Sequence, residues 1–356
     1  MNLRNVRVNR SQTPRSYLAG HRTSEATVRP HLAYVEAAKL DAWLRTSRVH
    51  PLAIVSFGQS AHSHLSCPTV TLDLPQLNGP PMLEVWYSDQ PVETPRLIKH
   101  GSLAISGDVL AGCLSFEEQP GTALDATAES AYKQLLRLLR DFEFPYLWRL
   151  WNFFPGINDH ANGLERYRQF CMGRHRALAE SLPDFPASLP AGTAVGTQSG
   201  PLQIYFFAGA HPVVHLGNPR QLNAYEYPQD YGPRSPSFAR ATLCRSDSGS
   251  QLFIAGTASV VGHASRHLGR PTEQTEETIR NLRSLVDHAE GLLEPNEIGA
   301  SPRSMFKVYV RHPEHLASIR QVLHDPLLTS SQMLFFKGDL CRQELLVEIE
   351  GLIALD

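Results

Sequence analysis

The sequence predicts an α/β protein in which helices pack on one face of mixed sheets, in a layered α+β arrangement. Its 356 residues are 42% hydrophobic and 19% charged, which is the composition of a globular chain with a sizeable core. Short runs of β-type residues alternate with amphipathic helical segments, and the order strand, helix, strand, helix, strand occurs twice. Such a repeat indicates an internal duplication, so we expect two similar domains.

The first half starts with an expected N-terminal arm at residues 1–50, because its opening mixes Arg, Ser, Thr and Pro without periodicity. A first domain is predicted over residues 51–220. Its elements are strands at Leu52–Phe57, Met82–Tyr87 and Ser102–Phe116, a helix at Ala126–Phe142, a buried strand at 145–154, a helix at Leu164–Ser181 and a strand at Leu202–Ala208. The Pro/Gly/Ser-rich stretch before the last strand predicts a break in regular structure.

The second domain is predicted over residues 221–356 and repeats the order of the first. Its elements are strands at Leu252–Val261, Met305–Val310, Met333–Phe336 and Glu344–Leu355, with helices at Glu273–Glu290 and Pro313–His324. The stretch between the domains, NPRQLNAYEYPQDYGPRSPSFARA, has no clear period and two interpretations. It is either a plain linker or a packed functional loop, because four aromatic side chains (Tyr225, Tyr227, Tyr231 and Phe238) are costly to leave in solvent.

The charge and hydropathy patterns indicate no macromolecular partner. The net charge of −2 provides no basic field that would hold a polyanion, so we expect no nucleic acid. No apolar run approaches the roughly 20 residues that cross a bilayer, and the polar start lacks the apolar core of a signal peptide. We therefore expect no membrane association and a cytoplasmic location.

The cysteine and histidine patterns predict neither a metal site nor a cofactor. The five cysteines are scattered, odd in number and without a C-x-x-C pair, which is typical of a chain in a reducing compartment. The sequence also contains no H-E-x-x-H and no G-x-S-x-G motif. Metal-dependent and serine-hydrolase chemistries are therefore not indicated.

The most informative segment is the C-terminal CRQELLVEIEGLI, where strand alternation puts Glu348 and Glu350 on one face. That face is either wet or turned into a closed cleft. In a cleft, burial and the neighbouring acid would raise the pKa of one carboxyl group, which could then hold a proton near neutral pH. A proton donor of this kind is what cleavage of an enol ether requires.

Further polar candidates lie upstream. Tyr167 and Arg174 share a helix face, which is either a basic surface or, if Arg174 turns inward, an anion contact. Arg220 either binds an anion or pairs with Asp230 or Glu226, and Tyr205 on the preceding strand offers a hydroxyl group. The small residues of the segment 254–265 favour a close approach by substrate or backbone rather than a phosphate loop.

Several motifs resemble known families. FIAGTASVVGH, MFKVYVRHPEHL and LLVEIEGLIAL resemble the reactive-intermediate deaminase (RidA/YjgF-like) superfamily. From about Leu52 to the C-terminus, the G-I-N…G-x-E-R-Y-x-x-F, N-P-R-Q, Y-G-P-R-S-P-S-F-A-R-A and C-R-x-x-L-L-V-E-I-E segments together resemble the chorismatases. This resemblance implies two deaminase-like (chorismate-mutase-like, ferredoxin-type) halves in one chain, the second of which carries the catalytic Glu.

The chorismatase resemblance implies cleavage of chorismate to pyruvate and 3-hydroxybenzoate, which some members form together with 4-hydroxybenzoate, without a cofactor. It makes Glu348 the acid that protonates the enolpyruvyl methylene group. It also makes four residues the substrate contacts: Tyr167, Arg174, Tyr205 and Arg220. Cys341, seven residues before Glu348, and Gly256 are associated with the aromatising route, although a free cysteine is also a common packing residue.

Three rival functions remain open at the level of sequence. Water could capture the protonated intermediate and give a trans-dihydroxycyclohexadiene carboxylate plus pyruvate. The superfamily resemblance alone would favour an imine or enamine deaminase, or a non-catalytic protein that binds a small ligand. The duplication further predicts a monomer, because paired domains can replace a subunit interface.

Overall fold

The computed structural model describes residues 28–58, 67–93, 96–119, 121–246, 249–294, 303–329 and 331–355. These residues form three main sheets and six α-helices. Within them, no helix combines the length and apolar character needed to span a membrane. The predicted arm lies outside the described residues from 1 to 27.

The first sheet contains four strands in the order β1-β4-β2-β3. Its elements are β1 (His31–Glu36), α1 (Leu40–Ser47), β2 (His50–Phe57), β3 (Thr69–Leu72) and β4 (Met82–Ser88), with a 3-10 turn at Ala37–Lys39. Residues 31–47 of the expected arm are therefore a strand and a helix, and the arm prediction is wrong there. Pairing of β1 with β4 and burial of Leu40 under the sheet hold this segment in place.

The second sheet has six strands in the order β11-β8-β12-β7-β6-β5. Its strands are β5 (Arg96–Ile98), β6 (Gly101–Ser106), β7 (Val109–Phe116), β8 (Tyr146–Pro155), β11 (Ala191–Thr197) and β12 (Leu202–Gly209), with a small hairpin of β9 (His160–Ala161) and β10 (Leu164–Glu165). Its helices are α2 (Leu124–Asp141) and α3 (Arg166–Ser181). Both helices cover the outer face of the sheet in one apolar cluster.

The third sheet has six strands in the order β13-β14-β15-β20-β18-β19. Its strands are β13 (Val214–Leu216), β14 (Ala241–Ser246), β15 (Gly249–Ala258), β18 (Arg303–Val310), β19 (Gln332–Lys337) and β20 (Val347–Ala354), with a small hairpin of β16 (Val260–Val261) and β17 (Ala264–Ser265). Its helices are α4 (Pro271–Glu290), α5 (Leu316–Val322) and α6 (Pro326–Thr329), and 3-10 turns occur at Ala224–Glu226, Gln229–Tyr231 and Pro313–His315.

The strand orders of the two larger sheets support the predicted duplication. The series β6-β7-β12-β8-β11 has the same order and directions as β14-β15-β20-β18-β19, including a parallel pair at one edge. In each case the last strand of the unit lies in the middle of the sheet. The predicted fold class, mixed sheets with helices on one face, is confirmed.

The inner faces of all three sheets meet in one central core. Trp86 of β4 packs with its ring centroid 4.7 Å from Phe207 of β12 and 6.0 Å from Phe253 of β15. Trp151 of β8 completes the aromatic cluster at 5.7 Å from Trp86. The outer faces carry the helices, so side chains that point inward from any sheet enter a shared interior.

Several element predictions need correction. The Pro/Gly/Ser-rich stretch contains β11, whose residues are all buried and whose small side chains fit the parallel edge beside β8. The run at 102–116 forms two strands that turn at Gly107, which has a φ of +53°. The helix predicted at Pro313–His324 is a 3-10 turn followed by the shorter α5. The division of the chain near residue 220 stays a prediction, although β13 already pairs with β14 of the third sheet.

Candidate active site

A cavity of about 360 Å³ lies between α3, the aromatic loop at residues 218–240 and the start of β20. The residues that define its chemistry come from four separate segments. They are Tyr167 and Arg168 of α3; Tyr227, Tyr231, Phe238 and Arg240 of the loop; Gly256 of β15; and Cys341, Arg342 and Glu348 near the C-terminus. Packing between the two duplicated units therefore creates this cavity.

Glu348 is the buried carboxyl group of the cavity. It lies on the central strand β20, between Ala258 of β15 and Tyr309 of β18, and only 4% of the residue is exposed. Burial and then the nearby charge of Glu350 raise the pKa of Glu348 to about 8, although three arginines act in the opposite direction. Glu348 is therefore mostly protonated at neutral pH.

Glu350 shares the strand face of Glu348 but has the opposite protonation state. Burial alone would raise its pKa, but Lys307 and Arg149 outweigh burial and lower it. The Nζ atom of Lys307 lies 2.9 Å from Oε1 of Glu350, and the Tyr309 hydroxyl donates to the same oxygen at 2.6 Å. Two carboxyl groups two residues apart thus form a proton donor and a fixed anion.

Gly256 provides the space that the Glu348 carboxyl group occupies. Residues 255 and 256 form a β-bulge opposite β20, where the pairing register shifts between Ile254 and Thr257. A Cβ atom at position 256 would collide with Oε1 of Glu348. The absence of a side chain at position 256 therefore leaves room for the Glu348 side chain, whereas the small-residue pattern had predicted an approach by substrate or backbone.

Thr193 of β11 connects the two units beneath Glu348. Its hydroxyl group accepts hydrogen bonds from the Gly256 amide at 2.9 Å and from Arg149 at 2.6 Å, and it donates to Glu350. A hydroxyl group has one proton and two lone pairs, so this threonine uses its full capacity. The bulge that carries Gly256 is consequently held to the second sheet.

Cys341 lies in the loop that leads into β20, and Arg311 fixes the path of that loop. The Arg311 guanidinium donates to the carbonyl oxygens of Leu340, Arg342 and Leu345 at 2.7–3.1 Å. Burial, followed by the charge of Glu348, raises the pKa of the Cys341 thiol to about 12. Cys341 is thus a neutral thiol that shapes the cavity wall rather than a thiolate nucleophile.

Two guanidinium groups face the cavity with neutral partners. Arg240 donates to the Tyr227 hydroxyl at 2.5 Å and to the Leu222 carbonyl at 3.1 Å, and it packs over Phe238. Arg342 donates to the His263 carbonyl at 2.9 Å and lies 4.1 Å from the Tyr231 ring centroid. Their contacts among the described residues leave both charges available to an anionic ligand.

The structure brings together four of the seven residues predicted for the site. Glu348, Cys341, Tyr167 and Gly256 all line the cavity. Arg174, Tyr205 and Arg220 lie elsewhere.

Each of the three displaced residues has a different environment. Arg174 turns inward and is 1% exposed, but it packs over Phe170 within the core beneath α3. The Tyr205 hydroxyl accepts a hydrogen bond from Lys307 at 2.6 Å inside the central core. Arg220 pairs at 2.6 Å with Glu277 of α4, which is neither of the partners predicted for it.

Sequence reasoning missed Arg240 and Arg342 as site residues. Arg240 closes the Y-G-P-R-S-P-S-F-A-R-A segment, and Arg342 directly follows Cys341. The signal that could have identified them is the aromatic loop, because both guanidinium groups stack on its rings. The packed interpretation of that loop agrees with the structure.

The arrangement can protonate a ligand bound in the cavity. A neutral carboxyl group points into a small cavity, and guanidinium groups there can hold carboxylates of the same ligand. After proton transfer, the Glu348 carboxylate itself can stabilise the positive charge that develops on the ligand, whereas Glu350 is already paired with Lys307 and Arg149.

Comparison with known proteins gives consistent matches. A family model described as chorismatase FkbO/Hyg5-like, N-terminal, matches residues 84–208. A 3-hydroxybenzoate synthase from Streptomyces hygroscopicus is 34% identical over 303 residues, which are 80% of this chain and 85% of that protein. A chorismatase from Streptomyces hygroscopicus is 37% identical over 277 residues, 76% of this chain and 79% of that protein. The crystal structure of a chorismatase superposes with a TM-score of 0.81 at 28% identity, covering 93% of this chain and 100% of the other.

Proposed function

Because the chain belongs to the chorismatase family, we propose that it cleaves chorismate into pyruvate and 3-hydroxybenzoate, with 4-hydroxybenzoate as a possible minor product. Membership confirms the resemblance drawn from the sequence motifs, and the chain is an enzyme. It does not favour a non-catalytic binding protein or an imine deaminase. The identity of the aromatic product is the part of the proposal that goes beyond family membership.

The observation that carries the proposal is the neutral carboxyl group of Glu348 inside the cavity. Protonation of the enolpyruvyl methylene carbon needs an acid that still holds its proton near neutral pH. With a pKa of about 8, Glu348 meets this condition, whereas the ion-paired Glu350 does not. Glu348 is therefore assigned as the proton donor.

The two carboxylates of chorismate are assigned to Arg240 and Arg342. Both guanidinium groups line the cavity, and Arg240 is close enough to influence the pKa of Glu348. An enolpyruvyl carboxylate on Arg240 would bring the adjacent methylene group toward Glu348. Tyr167 keeps its predicted role as a substrate contact, whereas Arg220 is occupied by Glu277.

Two routes are open after protonation. In the first, the neighbouring ring hydroxyl oxygen attacks the carbon that carries the side chain, the carbon–oxygen bond breaks and pyruvate leaves. The attacking hydroxyl group loses its proton, and its oxygen bridges two ring carbons until the bond to its original carbon breaks. That oxygen then takes up a proton, and the ring loses one hydrogen as a proton and aromatises. With the proton donated by Glu348, two protons are gained and two are lost, so no water is consumed. In the second route, one water molecule captures the cation and yields the diol acid.

The aromatising route is favoured by the form of the cavity. Cys341 is a neutral thiol close to Glu348, and Phe238 adds an apolar ring to the lining of the same cavity, so both disfavour an attacking water molecule there. The relative named 3-hydroxybenzoate synthase, which covers most of the chain, supports the same product. Cys341 and Gly256 are accordingly assigned to product selection.

Incubation of the purified protein with chorismate alone tests the proposal. We expect pyruvate in an amount equal to the sum of the hydroxybenzoates, with 3-hydroxybenzoate the main product, measured by a coupled pyruvate assay and chromatography. Glu348→Gln keeps the size of the side chain but removes the acidic proton, so kcat should fall by about 100- to 10,000-fold while substrate binding is retained. Absence of pyruvate from the wild-type reaction would refute the activity, and full turnover by Glu348→Gln would move the acid to another residue.

A further inference from the structure

Four buried charged side chains form a quartet at the centre of the molecule, where the three sheets meet. Glu84 comes from β4 of the first sheet, Arg149 from β8 of the second, and Lys307 and Glu350 from β18 and β20 of the third. None is more than 3% exposed. The quartet lies directly behind Glu348, because Glu350 is the next inward-facing residue of the same strand.

Direct ion pairs link all four members. Lys307 bridges the two acids, with its Nζ atom 2.7 Å from Oε2 of Glu84 and 2.9 Å from Oε1 of Glu350. Arg149 pairs with the other oxygen of Glu350. Two carboxylates and two cations give the quartet a net charge of zero.

Neutral hydrogen-bonding groups complete the quartet. Trp86 donates to Glu84 at 2.6 Å, and the Tyr205 hydroxyl lies between Lys307 and Glu84 at 2.6 and 3.1 Å. Tyr309 and Thr193 both donate to Glu350. The charge balance is therefore built from all three sheets and does not depend on solvent.

A balanced quartet has a direct consequence for the acid in the cavity. A further ionised carboxylate beside it would find no unpaired cation within the quartet, and burial makes such a charge costly. A protonated carboxyl group adds no charge. We propose that Glu84, Arg149, Lys307 and Glu350 act as positioning residues whose balanced charge keeps Glu348 in its proton-donating form. The inference rests on the proposed function and deepens it, because it makes Glu84 of the first sheet one of the residues that keep Glu348 protonated.

Other groups also lie near Glu348, and they are unchanged in the variants of the quartet described below. Apart from the quartet, Arg240 of the aromatic loop and Arg311 after β18 act directly on Glu348. The other titratable or charged side chains that line its cavity are His160, Glu165, Tyr167, Arg168, Tyr227, Asp230, Tyr231, Cys341, Arg342 and Glu344. Arg311 is itself paired with Asp339 at 2.9 Å. The β15 residues that face Glu348, Gly256 and Ala258, carry no charge.

Two substitutions in the quartet should act in opposite directions. Glu84→Gln leaves an excess positive charge, which favours ionised Glu348, so the pH at which kcat falls on the alkaline side should decrease. Lys307→Met leaves an excess negative charge, and the same midpoint should increase. Each shift is expected to be on the order of one pH unit, because the altered charge is buried.

The double variant Glu84→Gln/Lys307→Met restores a net charge of zero and should return the midpoint to the wild-type value. Ser106→Ala, which removes an uncharged buried hydrogen bond to Ser88 of β4, serves as the matched control and should leave the midpoint unchanged. General damage to the fold would lower kcat in all variants without opposite shifts. Circular dichroism establishes that each variant is folded. If Lys307→Met does not fold, the inference is tested by the lower midpoint of Glu84→Gln and the wild-type midpoint of the double variant.

The carbon-13 signal of the Glu348 carboxyl group should be titrated in the same proteins, because it needs no turnover. Opposite shifts of this midpoint in Glu84→Gln and Lys307→Met support the proposed role of the quartet, even if chorismate proves not to be the substrate. Equal midpoints in all folded variants would overturn the inference while leaving the activity of the wild-type protein intact. Pyruvate release by the wild-type protein tests the proposed function separately.

Discussion

Glu348 and Glu350 differ in protonation although they are the same residue type on the same strand face. Alternation along β20 places both on one strand face, as the sequence predicted, but the sequence left open whether that face was wet or buried. Both are buried in the structure, and the difference arises from their partners. Glu350 meets a lysine, an arginine and two hydroxyl groups, whereas Glu348 is packed against the bulge at Gly256.

Cys341→Ala tests product selection at this scale. The thiol is neutral, so the proposed role of Cys341 is to fill space next to Glu348 and to exclude water rather than to react. Loss of the sulfur atom opens room for a water molecule and should raise the ratio of diol acid to 3-hydroxybenzoate, measured by chromatography of the products. Cys341→Ser, which is similar in size, is the control for volume, and an unchanged ratio in Cys341→Ala would reduce the cysteine to a packing residue.

At the scale of elements, the aromatic loop and the loop before β20 form the mouth of the cavity. Arg342 lies over the rings of Tyr227 and Tyr231 and donates to the His263 carbonyl, so it joins the two loops and the β16–β17 hairpin. Tyr231 also contacts His263 at 3.2 Å. These contacts hold the Arg342 guanidinium group between the two loops.

Arg342→Ala should therefore affect binding more than chemistry. Loss of one charge-assisted contact to a substrate carboxylate should raise KM by about 10- to 100-fold, with a smaller effect on kcat. Steady-state kinetics of pyruvate release measure both constants. Arg342→Lys keeps the charge and should recover part of the loss, whereas a large fall in kcat with an unchanged KM would place Arg342 in the chemical step.

The elements that the sequence predicted well are those whose pattern is local. The amphipathic helices α2 and α4 and the apolar strand β8 have the expected bounds within a few residues. The strands β1 and β11 were missed because their stability comes from pairing with distant strands and from burial of small residues. The same limit explains Arg220 and Arg240: only the fold reveals which arginine meets a carboxylate and which faces the cavity.

At the scale of the whole molecule, three sheets enclose one interior, and two of them have the same strand order. The duplication creates the cavity between the units, and the first sheet contributes Glu84 to the charges behind it. The sequence does not show that these charged residues meet, because Glu84, Arg149 and Glu350 are far apart in it. The expected monomeric state and cytoplasmic location stay predictions.

The central claim is that the folded molecule keeps Glu348 protonated at neutral pH. The carbon-13 chemical shift of its side-chain carboxyl group, assigned by comparison with Glu348→Gln and followed from pH 5 to 10 in labelled protein, measures this directly. The structure predicts a protonated signal at pH 7 and a midpoint of about 8. A signal that is already ionised at pH 6, with a midpoint near the ordinary value of 4.5, would contradict it.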